Sequence, residues 1–441
     1  MKIPLSLIAI ISAGTLLAVS LGASTPWTVN EAVATALRDN PDAEAARQRI
    51  SAAESMIEQA DSAWLPHVGV SGRYLETNSP MQAFGSILNQ RAFNYGIDFN
   101  HPGRIDDLNL TGTVGYNLYS GGQATANRNA ARAGSRAAEQ EMIAVQHQLA
   151  AEIVKAVLNL RKAREGVTAL EAGAGAYEAA VSNARLRHAA GQMLKADLLS
   201  LEVQLAQTRE QLSSARHAAA LAARAFTYLL GSDHPGEPVE LSAHDGTLES
   251  LQAPAETDLS HRPELLSLRE RLQAAEARVE AARGSRRPSV NAFASYQYDQ
   301  GWQLDRHADS WMAGVAVELN VFDGGQTSGK IRQASAELAQ LKAQLRKATL
   351  GIGFEVEQAR LAHADARERL TVNSGAVAQA EESAALSRAR FEKGALLTAE
   401  LIGSESRLIE ARMRLTHATA DERIALVELR RALGLSPVSH P

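Results

Sequence analysis

The chain has 441 residues, a formal net charge of −5 and no cysteine. Without cysteine there are no disulfides, no thiolate metal sites and no cysteine nucleophile, and the negative charge excludes the basic field that nucleic-acid binding requires. Aromatic residues make up only 5 % of the chain although hydrophobic residues reach 45 %. Long tracts are rich in Ala, Leu, Glu, Gln and Arg, a composition that favours extended helices over a compact core.

The N-terminus is typical of a secretory signal peptide. Residues 1–24 contain one lysine, an apolar run of roughly 20 residues and a small-residue stretch from Gly22 to Ser24. The run is long for a signal peptide, so a retained transmembrane anchor is the alternative. No later stretch reaches about 18 uninterrupted apolar residues, and further contact with a membrane therefore requires β-strands.

The next part of the chain predicts a helix, two strands and a very long helix, in that order. A helix-like tract runs from Glu31 to Ala60, and a strand-like tract runs from Pro66 to Tyr74. We expect Leu75 to Asp107 to form one long loop before the second alternating tract, LNLTGTVGYNLY. No proline occurs between Pro102 and Pro235, so a continuous helix of about 100 Å is possible from Gln123 to His188.

Two glycines mark points where the helical pattern restarts. Gly191 lies in RLRHAAGQMLKADLL and Gly394 in RARFEKGALLTAELI, which predicts two helical hairpins with glycine at the turn. The return arm from Met193 to Leu230 spans only about 57 Å. We therefore expect the tract Glu31 to Ala60, and a similar tract from Pro263 to Arg283, to stack end to end on the shorter arms. Apolar residues spaced by three and four predict coiled-coil seams: Leu198, Leu201, Leu205, Thr208, Leu212 and Ala215 in the first hairpin, and Ile331, Ala334, Leu338, Leu341, Leu345, Ala348 and Ile352 in the second.

The same pattern occurs twice along the chain. A shift of 222 residues places Pro41 on Pro263, and a shift of 203 places Gly191 on Gly394 and the phrase NLYSGGQ on NVFDGGQ. We interpret this as a tandem duplication, with repeats at residues 25–231 and 261–434, a linker at 232–260 and a tail at 435–441. The first copy holds 19 additional residues between Tyr74 and Val114.

Four tracts alternate between apolar and polar residues. Each is about 9 to 12 residues long, the length of a tilted membrane-spanning strand, and aromatic residues lie near the ends. A soluble hairpin would show the same alternation. Four strands cannot close into a barrel, however, and open sheet edges are not tolerated in lipid. If these strands span a membrane, several copies of the chain must pool them.

The chain resembles the outer-membrane efflux channels of the TolC-like family. The resemblance covers nearly the whole mature chain and rests on repeated segments: NPDAEAARQRISAAESMIEQADSAWLPHVGVSGRY and RPELLSLRERLQAAEARVEAARGSRRPSVNAFASYQY, NLYSGGQ and NVFDGGQ, and the hairpins that end in YLLG and RALG. It implies an α+β membrane protein in which a homotrimer forms one twelve-stranded transmembrane β-barrel, with four strands from each protomer, continued by a long periplasmic α-helical coiled-coil barrel. It also implies an equatorial belt formed by the linker and the chain ends.

The resemblance also implies a cellular location and partners. The location is the outer membrane of a Gram-negative bacterium, from which the protein extends into the periplasm. The partners are outer-membrane lipid, a periplasmic membrane fusion (adaptor) protein and an inner-membrane pump of the RND or ABC type. We expect the Leu75 to Asp107 loop to lie outside the cell and narrow the channel mouth. Its aromatic residues Phe84, Phe93, Tyr95 and Phe99 would equally suit contacts within the trimer.

An acidic residue follows each turn glycine by six positions, Asp197 in the first copy and Glu400 in the second. Acids at this position in the family lie near the periplasmic constriction, where a ring of carboxylates favours cations. Ordinary exposed helix acids are the alternative. The family often has a basic residue two places after the second glycine, where this chain has Leu396, and Lys195 is a candidate substitute.

Two further groups of residues are candidates for function. The resemblance makes the hairpin tips the adaptor-docking site, although a tight turn requires glycine in any case; the tip residues are Arg187, Gly191, Leu194, Arg390, Gly394 and Leu397. Paired glycines at the end of each strand pair would let the chain turn from barrel into tunnel, with Ser120 and Asp323 as helix caps; these glycines are Gly121, Gly122, Gly324 and Gly325.

The sequence thus predicts a passive exit duct for substrates delivered by the pump and adaptor. It contains no catalytic motif and no paired metal-ligand spacing, and implies no enzyme activity, no metal and no cofactor. We expect small-molecule or drug efflux rather than type I protein secretion, which is the alternative channel function. A periplasmic coiled-coil scaffold without a pore is the alternative of another class.

Overall fold

The computed structural model describes residues 26–98, 100–233, 238–242, 246, 251–252 and 258–436. The predicted signal peptide, Phe99 and most of the predicted tail lie outside these residues. The first half contains, in chain order, α1 (Val29–Asp39), α2 (Pro41–Asp61), a short 3-10 turn (Ser62–Trp64), β1 (His67–Thr77), α3 (Pro80–Asn89), β2 (Ile105–Ser120), α4 (Gln123–Ala189) and α5 (Lys195–Leu229). The second half contains a 3-10 turn (Leu259–His261), α6 (Pro263–Gly284), β3 (Ser289–Gly301), β4 (Arg306–Glu318), α7 (Gln326–Glu392) and α8 (Thr398–Ala432). Within the described part of the chain, no helix has the length and apolar character needed to cross a membrane.

The long helices of the two halves match in length. α4 and α7 each contain 67 residues, and the return helices α5 and α8 each contain 35. At 1.5 Å per residue the outgoing helices are about 100 Å long and the return helices about half of that. The predicted long helices and short return arms are therefore confirmed.

The predicted helix from Glu31 to Ala60 is wrong in one respect, because it consists of two helices. Asn40 leaves the helical conformation, with ψ of 133°, and its side-chain oxygen accepts a hydrogen bond of 2.8 Å from the amide of Asp42. Pro41 takes the first position of α2, where no amide proton is needed. The chain therefore ends one helix and begins the next at Asn40.

The predicted single loop from Leu75 to Asp107 is also wrong. β1 continues to Thr77, β2 begins at Ile105, and α3 lies between them. Pro80 starts this helix, and Ala83 and Ile87 form a small buried cluster with Ile105. The insertion is therefore anchored to the strand that follows it.

The four strands form one antiparallel sheet in the order β1-β2-β3-β4. β2 and β3, which come from different halves of the chain, pair centrally, with Asn109 opposite Asp299 and Thr113 opposite Ser295. A register shift between Asn117 and Tyr119 introduces a bulge near the end of β2. β1 and β4 each have one edge without a partner among the described strands.

The helices form one layer of four columns below the sheet. α4 packs between α5 and α8 in the lower part and between α2 and α6 in the upper part, and α7 packs on α8 and α6. The predicted seam residues face these contacts: Leu201, Leu205, Thr208, Leu212 and Ile352 are buried, and Leu198, Ala215, Ile331, Ala334, Leu338, Leu341, Leu345 and Ala348 are half-buried.

The short helices stack end to end, as the sequence predicts. The side chain of Asn40 donates to the carbonyl of Leu229 at 2.8 Å, which joins the end of α5 to the start of α2. Arg262 donates to the carbonyl of Ala432 at 2.6 Å and joins α8 to α6 in the same way. Gly231, at φ +75°, passes so close that a β-carbon there would lie 2.6 Å from the carbonyl oxygen of Asp39. The four columns are thus α5 with α2, α4, α8 with α6, and α7.

The main apolar core lies at the level of these junctions. It joins α1, α4 and α5 to the described parts of the linker, through buried residues such as Val33, Ile153 and Val239. The amide of Trp27 donates to the carbonyl of Glu240 at 2.8 Å, and the Trp27 ring packs edge to face on Phe226. This cluster connects the start of the described chain to the middle of the helical layer.

An ion-pair network surrounds the second junction. Arg262, whose side chain is 3 % exposed, pairs with Glu264 at 2.7 Å and with Glu355 of α7 at 2.9 Å. Arg431 joins Glu355 to Glu428, and Lys155 of α4 pairs with Glu428. The network therefore connects three columns around the point where α8 meets α6.

Two carboxylates of this network have lowered pKa values. Burial alone would raise the pKa of Glu264, but hydrogen bonding and the charge of Arg262 outweigh it and hold that pKa below its usual value. Hydrogen bonds from Lys155 and Arg431 likewise hold the pKa of Glu428 low despite its burial. Because these folded-state values are depressed, the stabilisation is present above the ordinary glutamate pKa of about 4.3 and is lost as the pH falls below it.

We predict that Arg262→Met destabilises the protein by about 2 to 4 kcal/mol, because Glu264 and Glu355 lose their partner and these carboxylates are only partly hydrated. The measurement is thermal unfolding of the purified protein between neutral pH and about pH 3. The deficit of the variant should be full at neutral pH and should shrink only below about pH 4, where the lowered pKa values let acid weaken the network of the parent protein.

The matched control is Arg38→Met, which removes a solvent-exposed pair with Asp39 and should leave the unfolding temperature unchanged. An equal loss of stability in the two variants would contradict a special role of the junction network.

Candidate functional site

The two hairpin turns lie together at the end of the helical layer that is farthest from the sheet. Gly191 and Gly394 adopt left-handed conformations, with φ of +72° and +74°. In each turn the glycine amide donates at 2.9 Å to the carbonyl of the residue three positions earlier. The next amide donates to the carbonyl five positions earlier, which is that of Arg187, at 2.8 Å, in the first turn and that of Arg390, at 2.9 Å, in the second. This is the glycine-ended helix stop that satisfies the last carbonyl groups. Leu194 and Leu397 follow the turns and are largely exposed.

A single arginine connects the two turns. The guanidinium of Arg187 on α4 donates to the backbone carbonyl of Phe391 on α7 at 3.1 Å and lies 5.5 Å from the centre of the Phe391 ring. A β-carbon on Gly394 would come within 3.0 Å of the same guanidinium. The corresponding residue of the second turn, Arg390, is exposed. Arg187 is therefore a contact between hairpins, which the sequence did not indicate.

Each hairpin is closed by ion pairs at matching positions. Arg185 pairs with Glu202 at 2.7 Å, and Arg388, 203 residues later, donates to Glu405 at 2.9 Å. Arg209 pairs with Glu178 at 2.8 Å, and Arg412 pairs with Glu381 at the same distance. These pairs lie within each hairpin, whereas the contact of Arg187 joins the two turns.

Above the turns, the hairpins approach closely around Tyr177. This tyrosine is fully buried and its hydroxyl bonds the carbonyl of Ile402 at 3.1 Å and the hydroxyl of Ser406 at 2.9 Å. Burial raises the pKa of Tyr177, against the opposing effect of its hydrogen bond to Ser406. A β-carbon on Gly173 would lie 2.4 Å from the Ile409 side chain, so any other residue at this position would displace Ile409.

A groove of about 340 Å³ runs between the hairpins beside this contact. One wall is formed by small residues of α4, and the other by Arg388, Phe391 and Glu405. The side-chain oxygen of Asn183 is buried in this region without a hydrogen-bond partner in the described part of the chain. The α4 residues of the wall are Ala172, Ala176, Ala179, Ala180 and Asn183.

The acidic residues of the sequence prediction lie in the first turns of the return helices. Asp197 is half-buried at the start of α5, and Glu400 is exposed at the start of α8. An acid in the first turn is also favourable for the helix itself. Lys195 is exposed and forms no ion pair with a described residue of this chain. The two acids thus lie at the same end of the helical layer as Arg187, but no ion pair between them and Arg187 is present among the described residues.

Two pairs of glycines lie where the sheet connects to the long helices. Gly121, Gly122, Gly324 and Gly325 all have positive φ, between +65° and +90°. Ser120 accepts from the amide of Ala124 at 3.1 Å, and Asp323 accepts from the amides of Gly325 at 3.0 Å and Thr327 at 2.7 Å. Gly121 has no room for a side chain, since a β-carbon would lie 2.4 Å from the carbonyl oxygen of Gly284.

Comparison with known proteins identifies the family. The profile of the outer membrane efflux proteins matches residues 32–232 and 256–435. The chain belongs to this family. Its members are the TolC-like outer-membrane factors, so the protein is an outer-membrane efflux channel that extends into the periplasm.

Three individual relatives have low sequence identity to this chain but align with more than half of its length. The outer membrane efflux protein BepC of Brucella suis is 23 % identical over 74 % of this chain and 73 % of its own length. The cobalt-zinc-cadmium resistance protein CzcC of Cupriavidus metallidurans is 24 % identical over 71 % of this chain and 74 % of its own. The proteases secretion protein PrtF of Dickeya chrysanthemi is 24 % identical over 58 % of this chain and 57 % of its own.

Solved structures of this family share the fold. The outer membrane protein VceC of Vibrio cholerae superposes with a TM-score of 0.76 at 20 % identity, over 92 % of this chain and 96 % of that one. The outer membrane channel CmeC of Campylobacter jejuni gives a TM-score of 0.79 at 16 % identity, over 98 % of this chain and 93 % of that one. The long helical layer with its small sheet is therefore the TolC-like fold.

We predict that Arg187→Ala loosens the second turn of this efflux channel. Loss of a charge-assisted hydrogen bond, worth about 1.5 kcal/mol, should make the amides of Gly394 and Ala395 exchange with deuterium about tenfold faster. Arg390→Ala is the matched control at the corresponding position of the other hairpin and should leave exchange unchanged. Equal protection in the two variants would mean that Arg187 does not hold the hairpins together.

Proposed function

We propose that three copies of this chain form a passive exit duct of a tripartite efflux system. Each would contribute four strands to one twelve-stranded barrel in the outer membrane and four helical columns to a tunnel through the periplasm. The observation that carries the proposal is that sheet and helical layer are open on the same two sides. β1 stands above the column of α5 and α2, and β4 above α7, so closing the sheet on neighbouring copies also closes the tunnel.

The outer columns carry unpartnered apolar residues in the lower part of the layer. On α7 these are Leu350, Phe354, Leu361 and Val372, and on α5 they are Leu199, Val203, Leu221 and Tyr228, all between 48 % and 77 % exposed. Successive residues of each set are separated by four or seven residues or by sums of these numbers, so each set lies along one side of its helix. We infer that α7 of one copy packs on α5 of the next.

The upper part of the same seam has complementary charge. Residues 326–350 of α7 contain five basic residues and one acidic residue, whereas α2 contains five acidic and two basic residues. Neighbouring copies would place these helices side by side, so opposite charges favour this pairing over pairing of like surfaces.

The proposed tandem duplication supports the same arrangement. Within the chain α4 packs on both α2 and α6, and Ala133 of α4 is 2 % exposed. Its counterpart at a shift of 203 is Ala336 of α7, which is exposed because α7 has α6 on one side only. The packing between the two sequence repeats inside one chain, where α4 contacts α6, is thus the model for the contact between α7 and the next chain. The same layout gives the proposed units: signal peptide 1–24, repeats 25–231 and 261–434, equatorial linker 232–260 and tail 435–441.

The hairpin tips are the proposed docking end for the periplasmic adaptor, which connects the channel to an inner-membrane pump of the RND or ABC type. Exposed Leu194, Leu397 and Arg390 and the small-residue groove beside Tyr177 offer a surface suited to a helical partner. Asp197 and Glu400 of three copies would form a ring of six carboxylates at this end, which favours cations. Arg187 would keep the hairpins of each copy together while the pore is closed.

Small-molecule efflux is the preferred export function. The outer membrane efflux protein BepC and the cobalt-zinc-cadmium resistance protein CzcC, which each align over more than two thirds of their length, support this preference, whereas the proteases secretion protein PrtF supports the alternative. Protein secretion is the second candidate. A periplasmic scaffold without a pore would leave the two open sheet edges without a function.

We predict that Ala336→Phe prevents assembly, because a large side chain cannot enter a seam built for alanine. Native electrophoresis of the detergent-extracted protein should show monomers in place of trimers. Ser335→Phe, one residue away on an exposed flank of the same helix, should still assemble. Stable trimers of the Ala336→Phe protein would exclude this seam.

We also predict that Gly191→Phe blocks export while trimers still insert in the outer membrane. No atom lies within 4 Å of a β-carbon at this glycine, so the ring would project from the tip toward the adaptor, and the positive φ costs only about 1 kcal/mol. Gly191→Asn, which tolerates this conformation, should retain export. Cells expressing each variant are compared for drug susceptibility and for trimer content of the outer membrane; normal export by the Gly191→Phe protein would exclude docking at this turn.

A further inference from the structure

The connection between β1 and β2 contains a helix that the connection between β3 and β4 does not have. β3 ends at Gly301 and β4 begins at Arg306, whereas 27 residues separate Thr77 from Ile105 and include α3. α3 lies at the end of the sheet opposite the tunnel helices, which is the exit end of the proposed duct. Only the first sequence repeat therefore carries a helix at the mouth of the proposed duct.

The two faces of the sheet differ in polarity. One row contains Asn109, Thr111 and Thr113 on β2, opposite Asp299, Gln297 and Ser295 on β3. The other row contains mainly apolar and aromatic residues: Leu108, Leu110, Val114, Tyr116, Tyr296, Tyr298, Trp311, Val315 and Val317. In a membrane barrel the apolar row faces lipid and the polar row faces the lumen.

α3 is bonded to the polar row. Asp107, which belongs to this row by alternation, accepts from Ser86 at 3.3 Å and from the side-chain amide of Gln90 at 3.0 Å. Gln90 also donates to the carbonyl of Asp106 at 2.8 Å and is fully buried. A β-carbon on Gly301, again in this row, would lie 2.2 Å from the Gln90 side-chain oxygen. The helix thus lies on the inner wall of the mouth.

The side of α3 turned away from the sheet is apolar. Met81, Phe84 and Leu88 share one side of the helix and are 83 %, 37 % and 46 % exposed. Phe93 stacks edge to face between Phe84, at 6.5 Å, and Tyr95, at 5.5 Å. We name these five residues the mouth patch. The side of α3 that faces the sheet buries polar Ser86 and the adjoining Gln90 beside Ala83 and Ile87, while Met81, Phe84 and Leu88 stay exposed on the other side.

We propose that the mouth patches of the assembled protomers face one another across the lumen and form an apolar constriction at the exit. This inference rests on the proposed trimeric barrel and extends it, because it adds a second barrier far from the hairpin tips. A narrow apolar ring expels water and so opposes the passage of hydrated ions and polar solutes. Substrates with an apolar surface replace that water by contact with Phe84, Leu88 and Met81, so the ring selects amphiphilic cargo and hinders polar compounds entering from outside.

The test uses the absence of cysteine from the natural sequence. Thr113→Cys places one thiol on the polar row, about 20 Å along β2 from Asp107. Val114→Cys places one on the neighbouring lipid-facing row. Intact cells are treated with a charged, membrane-impermeant maleimide, and labelling of the outer-membrane protein is followed with time. This readout does not depend on the state of the hairpin tips.

We expect slow labelling of the Thr113→Cys protein and at least about tenfold faster labelling when Met81, Phe84 and Leu88 are all changed to Ser, because a polar ring stays hydrated. Gln90→Leu, which removes the bonds that hold α3 on the wall, should act in the same direction. Phe84→Leu with Leu88→Ile keeps the ring apolar and should leave the rate unchanged. The Val114→Cys protein should resist the reagent in every background.

Equal labelling rates with and without the three serines, in trimers of normal yield, would overturn the constriction while leaving the channel intact. Labelling of the Val114→Cys protein in place of the Thr113→Cys protein would place α3 on the outer face and overturn it as well. Recovery of the chain outside the outer membrane would instead remove the proposed barrel, and the constriction with it.

Discussion

The return helices α5 and α8 are about half as long as α4 and α7, so each covers only half of its long partner. A separate helix has to cover the other half, and the rest of the structure depends on where that helix docks. The docking of α2 on the end of α5, and of α6 on the end of α8, makes four columns of equal length from helices of unequal length. Each docking is a carbonyl group at a helix end satisfied by a side chain from another part of the chain. The sheet continues the columns because the strands begin and end at the same helices.

The two junctions differ in chemistry although they serve the same geometry. Asn40 is neutral and bonds one carbonyl, whereas Arg262 also engages Glu264 and Glu355 and brings α7 into the contact. The tips differ in a similar way, since Arg187 reaches across to the other hairpin and Arg390 does not. The second junction is therefore held by more charged contacts than the first, and the two repeats are alike in backbone but not in the interactions that restrain them.

Sequence patterns determined much of this fold because most of it depends on local rules. The seam from Leu201 to Leu212, the turns at Gly191 and Gly394, and the glycine pairs at the joints follow from helical periodicity and from positive φ. The break at Asn40 was missed although an asparagine before a proline is a cap signal. α3 was missed because it is only ten residues long and polar Ser86 lies on its buried side between Ala83 and Ile87. Arg187 could not be foreseen, since its contact with Phe391 depends on how two hairpins lie side by side.

The junctions also impose an order on folding. The ion pair between Arg185 and Glu202 joins residues 17 apart, but Asn40 bonds Leu229 across 189 residues and Arg262 bonds Ala432 across 170. Contacts of such sequence separation form late, because the entropy of closing the loop is lost before the contact is gained. Each helical hairpin can therefore fold by itself, whereas the column junctions and the central β2–β3 pair require segments that lie far apart in the chain. Until these contacts form, the edges by which β2 and β3 later pair remain open and prone to aggregation.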